Sequence, residues 1–88
     1  MSEVVEAPAL RVKIQRTLPV AVAQAQLPAM KRLRLRVALT RPDVREAVED
    51  YLEEVVSVEA IGDGDLLKLI LDHLPEIIKL IELIVGLF

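Results

Sequence analysis

The 23 residues from Leu66 to Phe88 carry 15 large aliphatic or aromatic side chains and only six charged or histidine positions. A helix this apolar has to be covered on more than one side, which constrains the fold more than any other feature of the chain. Lys68, Asp72, Glu76, Lys79 and Glu82 recur every three or four residues and form one narrow polar stripe. Written as heptads, the core positions are Leu67, Leu74, Ile81 and Phe88 in one row and Ile70, Ile77 and Ile84 in the other. The flanks are apolar as well: Leu71, Ile78 and Val85 on one side, Leu66, Leu80 and Leu87 on the other. A two-stranded coiled coil wants charges at those flanks. The expected interface is therefore Leu67, Ile70, Leu74, Ile77, Ile78, Ile81, Ile84 and Phe88, facing a neighbouring subunit or a larger protein. Pro75 has no N–H, and its ring clashes with the carbonyl of Leu71. A kink or break is expected there, with helices at about 65–73 and 75–86.

The polar positions are spread through the whole segment, which argues against a membrane span. An in-plane helix at a membrane surface stays open as an alternative, although such helices usually carry Lys or Arg on the polar face and this stripe is mixed and slightly acidic. The chain has 88 residues, of which 53% are apolar and only Tyr51 and Phe88 are aromatic. One domain of this size buries about 60–65% of its unfolded surface, so surplus apolar content points to a homo-oligomer or a larger assembly. There is no cysteine, hence no disulfide, thiolate nucleophile or cysteine metal site. Glu3 and Glu6 with no basic start are unlike a secretory signal, and residues 1–8 read as a flexible arm ahead of one domain at 9–88. The expected location is cytoplasmic or virion-associated.

Charge is segregated along the chain. From Ala7 to Pro42 there are eight basic residues and no acidic one; from Asp43 to Asp65 there are nine acidic residues and one arginine. Blocks of opposite sign favour self-association, within one chain or head to tail between copies. The predicted electrostatic contacts are Arg32, Arg34 and Arg36 against Glu49 and Glu53.

The basic block alternates like strands. Leu10, Val12 and Ile14 interleave with Arg11, Lys13 and Gln15; Leu33, Leu35, Val37 and Leu39 alternate with Arg32, Arg34 and Arg36. The uncharged stretch 18–30 reads as a middle strand or as a loop against a partner. The acidic block opens with a helix at about 41–57, started by Thr40, Pro42 and Asp43. Its core face is Val44, Ala47, Val48, Tyr51, Leu52, Val55 and Val56, with Glu46, Glu49, Asp50, Glu53 and Glu54 opposite. Gly62-Asp63-Gly64-Asp65 then stops and restarts the chain, with Asp65 as the expected helix cap.

No catalytic constellation emerges. The Asp-Gly-Asp loop lacks the alternating oxygen ligands and terminal Glu of a calcium loop. His73, near Asp72 and Glu76, reads as a hydrogen-bonded residue at a kink rather than a metal ligand. Ser2 and Ser57 have only one histidine to share, and no glycine-rich phosphate loop is present. No cofactor, metal or catalytic residue is expected, and the chain reads as a non-enzyme.

Two resemblances bear on function. A strand at Lys31–Leu39 followed by two helices resembles the order of a ribbon–helix–helix DNA-binding domain, which implies that Arg32, Arg34 and Arg36 would enter the major groove. Asp63 and Asp65, at the start of its second helix, depart from that pattern by repelling phosphate. The run from Arg34 to Leu52, with Val37-Ala38-Leu39-Thr40 leading into Ala47-Val48 and Tyr51-Leu52, resembles small phage-encoded strand–helix proteins. That likeness implies a virion or shell component and no activity. The fold expected is α+β: a short antiparallel sheet over residues 9–39, then two helices at about 41–57 and 65–86, the second kinked at Pro75. The expected role is structural, by oligomerisation or docking through the C-terminal helix. DNA binding through the arginine strand and membrane-surface binding through the C-terminal helix stand as alternatives.

Overall fold

The structure, a computed structural model, describes residues 6–56 and 61–86. Among these residues there are five α-helices and no strand: α1 (Glu6–Gln24), α2 (Ala29–Ala38), α3 (Pro42–Val55), α4 (Asp63–Asp72) and α5 (Leu74–Val85). The expected α+β architecture is overturned, because residues 9–39 form α1, α2 and their connection instead of a sheet. α1 begins at Glu6, within the stretch 1–8 read as an arm, and residues 1–5 lie outside the described residues.

The physical reason is a second periodicity that the alternation concealed. Leu10, Ile14, Thr17, Leu18, Ala21, Val22 and Ala25 are all buried, at the three-and-four spacing of one helical face. Val12, which a strand would have placed beside Leu10 and Ile14, is exposed. Pro19 lies inside α1 and is itself exposed, as is Gln15, whose carbonyl loses its partner N–H. In α2 only Leu35 and Ala38 are buried, with Leu39 packed beside them. The Arg, Leu, Lys, Met and Ala content of this segment favours a helix over a strand.

The apolar C-terminal segment divides as two helices, and the division determines the packing. The break falls at His73 (φ −102°, ψ 11°), so that Pro75 sits in the first turn of α5, where its missing N–H costs little. The two halves then turn to different neighbours: α4 packs on α1, and α5 packs on α3. Leu66 and Ile70 of α4 and Leu74, Ile77 and Ile81 of α5 join Ile14, Leu35, Val44, Val48 and Leu52 in a single core. A straight helix of the same residues would leave one half uncovered.

Two expected caps are not formed. The Thr40 hydroxyl donates back to the Val37 carbonyl at 2.6 Å and so closes the end of α2, while Arg41 is the residue that precedes α3. Asp43, in the first turn of α3, accepts from the Val44 N–H and from Arg41, whose hydrogen bond holds the Asp43 carboxyl below its usual range. Gly62, not Asp65, precedes α4, and Asp63 and Asp65 lie in its first turn, where they complement the helix dipole.

α5 ends on Gly86, which donates its N–H to the Glu82 carbonyl at 2.7 Å and then turns the chain with a φ of 82°. A side chain strains that backbone region. Gly86→Ala is expected to cost about 1 kcal/mol in urea denaturation without changing the helical signal. A neutral or stabilising result would mean that this cap is not held.

Candidate functional site

Two surface features stand out once the helices are placed. The first is an ion cluster between α1 and α3. Glu49, Asp50 and Glu53 share one edge of α3, and Glu49 and Glu53, four apart, would repel each other if left alone. Arg11 reaches across from α1 to hold all three. Its Nε and Nη2 donate to the two carboxylate oxygens of Glu53, each at 3.0 Å. Nη1 donates to Glu49 Oε1 at 2.9 Å and Nη2 to Asp50 Oδ1 at 2.6 Å. The bonds to Glu49 and then to Glu53 raise the pKa of the guanidinium above its ordinary value. Glu49 is buried, its side chain only 3% exposed, which an acidic helix face does not foretell. Gln15 Nε2 also points to its Oε1, at 3.4 Å.

The second feature is the outward face of α2. Met30, Leu33 and Val37 are 63%, 54% and 59% exposed and recur at helical spacing. Leu33 and Val37 meet Val85 of α5 and the stems of Arg34 and Arg41 along a shallow groove of about 400 Å³. Lys31, Arg34, Arg36 and Arg41 are exposed around this row. Near the end of α5, Leu83 is 83% exposed.

The residues expected at an interface are distributed differently. Ile70, Leu74, Ile77 and Ile81 are buried in the chain's own core. Leu67, Ile78 and Ile84 are half-buried, and Phe88 and Leu87 lie outside the described residues. Glu49 and Glu53, expected to meet Arg32, Arg34 and Arg36, are held by Arg11 of α1. Arg32 instead donates to the Ala25 carbonyl at 3.3 Å, and Arg36 shares a cleft with Glu49. The ribbon that would carry Arg32, Arg34 and Arg36 into a DNA groove is absent, because these residues are on α2.

His73 Nδ1 donates to the Leu69 carbonyl at 2.9 Å, and its ring meets Tyr51 edge-on at 6.3 Å. Burial, assisted by the charge of Glu76, raises the pKa of Tyr51. Among the described residues, no group of three or more His, Asp or Glu side chains is placed to hold a metal ion. Ser2 and Ser57 lie outside the described residues. No described helix is long and apolar enough to cross a membrane. No protein family, curated protein or solved structure matches the chain.

Sequence reasoning missed Arg11 and the row Met30, Leu33, Val37. The available signal for the row was helix propensity. Read as a helix, α2 cannot turn Leu33, Leu35, Val37 and Leu39 to the same side, so two of them must face outward.

Proposed function

We propose that the chain is a non-enzymatic assembly component that associates head to tail with further copies of itself, as a subunit of a shell or virion-like structure would. The observation that carries this reading is the exposed row Met30, Leu33 and Val37 within a rim of basic side chains. Exposed apolar rows rimmed by charge are characteristic of contact surfaces. Two copies of the basic rim would repel each other across a two-fold axis, so the complementary surface is acidic. Exposed acidic side chains are present on two other helices: Glu46 and Glu54 on α3, and Asp63, Asp65 and Asp72 on α4. A contact between two different patches is heterologous, and it builds rings or filaments. The assembling chain is placed in the cytoplasm or in a virion by the same reading.

Absolute mass by light scattering behind size exclusion tests it. The wild-type chain is expected to give a multimer at low salt that shrinks at high salt, because exposed charge pairs are screened. Leu33→Asp with Val37→Asp is expected to give a monomer with unchanged helical signal, since both side chains are exposed. A wild-type chain that stays monomeric at high concentration and low salt would end the proposal.

A further inference from the structure

Leu83 is 83% exposed, more than any other large apolar side chain among the described residues. It stands in the last turn of α5. Val85, two positions on, is half-buried and lines the shallow groove of about 400 Å³ together with Leu33, Val37 and Ala38 of α2. Two residues turn a helix by about 200°, so Leu83 and Val85 leave α5 on nearly opposite sides. An apolar knob and an apolar groove therefore flank one helix and face apart. The knob cannot fill the groove of its own chain. A two-fold pair, in which both copies present the same face, would need knob and groove on one side. A row of copies in a single direction satisfies both.

The charges around the two features agree with this direction. Glu76 and Lys79 precede Leu83 by seven and four residues and share its face, and Glu82 is its neighbour; all three are exposed. Two acids and one lysine leave the knob side slightly acidic. The groove is lined by Arg34 and Arg41, both exposed, with Arg41 also donating to Asp43 at 3.0 Å. We infer that Leu83 of one copy seats in the groove formed by Leu33, Val37 and Val85 of the next. Glu82 then approaches the arginines at the rim, where opposite charges fix the orientation. Each contact leaves a groove open at one end of the row and a knob at the other, so the assembly grows instead of stopping at a pair. This inference rests on the assembly reading and names the surface that meets the exposed row of α2.

The experiment mixes two full-length variants and reads mass by light scattering. Leu83→Gln removes the knob without adding charge, at an exposed position where glutamine suits a helix. Leu33→Asp with Val37→Asp closes the groove. Each variant alone is expected to associate at least tenfold more weakly than the wild-type chain, with unchanged helical signal. Mixed in equal amounts, they are expected to form a dimer and nothing larger. The intact knob of one then meets the intact groove of the other, and both remaining ends are blocked. Leu83→Gln assembling like the wild-type chain, or a mixture that stays monomeric, would overturn the inference; if the groove variant is monomeric in the same experiment, the assembly reading survives with a different knob. A wild-type chain that is monomeric throughout would remove both.

Discussion

Ile77→Asp is expected to unfold the chain, whereas Leu83→Asp, six residues along the same helix, is expected to leave it folded. Ile77 is fully buried at the contact of α5 with α3, and Leu83 is 83% exposed. Deleting a buried Ile side chain costs about 2–5 kcal/mol, and forcing an ionised carboxylate into the vacated space adds several more. An 88-residue domain has on the order of 4–13 kcal/mol of stability in total. The first substitution therefore approaches or exceeds the whole of it, while an exposed substitution falls within about 0.5 kcal/mol. Circular dichroism with urea denaturation reads the first effect. A cooperative Ile77→Asp transition shifted by less than about 1 kcal/mol would show that α5 is not part of the core. Leu83→Asp combined with mass measurement then asks whether the exposed end of α5 joins the contact surface, free of any effect on folding.

That contrast marks how far the sequence could be read. The stripe of Lys68, Asp72, Glu76, Lys79 and Glu82 identified the helical character of the last segment, and Pro75 located its interruption to within two residues. What a single stripe could not give was the identity of the cover. A helix bordered by apolar flanks on both sides is equally satisfied by another subunit or by its own chain folding back, and here α1 and α3 supply most of the cover. Residues 9–39 were misread for a different reason. Leu10-Arg11-Val12-Lys13-Ile14 satisfies the two-residue period, and Leu10, Ile14, Thr17, Leu18, Ala21, Val22 and Ala25 satisfy the helical one over a longer window. Five residues cannot decide between them, but the sixteen residues from Leu10 to Ala25 can. In α2 the conflict is resolved at the surface: the helix takes Leu35 and Ala38 inward and leaves Met30, Leu33 and Val37 outside. The face proposed for assembly is thus the residue of a pattern that a helix cannot fully bury.

The opposed charge blocks were legible as charge but not as geometry. One basic residue, Arg11, answers three carboxylates inside the chain, and Lys13 donates to the Ile61 carbonyl at 3.0 Å. Arg16 lies only 3.9 Å from Asp63 in an exposed pair, where such contacts contribute little. The α1 part of the basic block therefore acts within the fold, while Lys31, Arg34 and Arg36 of α2 have exposed side chains.

Arg11→Met is expected to be the most costly substitution of a charged residue in the protein. It leaves Glu49 with a side chain 3% exposed and no cation within hydrogen-bond distance, since Arg45 stands 3.9 Å away. It also restores the repulsion among Glu49, Asp50 and Glu53. Removing one partner of a buried pair costs about 3–5 kcal/mol; with Arg11 itself 27% exposed, about 2–4 kcal/mol is expected here. The converse change is milder. Glu49→Gln keeps a hydrogen-bonding side chain, and Arg11 still holds Glu53 at two points and Asp50 at one. In the Arg11→Met background, Glu49→Gln is therefore expected to recover at least 1 kcal/mol by removing the stranded charge. The loss should persist at high salt, because a buried carboxylate is screened much less than the exposed charges of the assembly face. Urea denaturation of the four proteins of this cycle measures all three quantities. If Arg11→Met cost under about 1 kcal/mol, or if Glu49→Gln worsened it, the cluster would be a surface ornament and the clamp between α1 and α3 would have to be apolar alone.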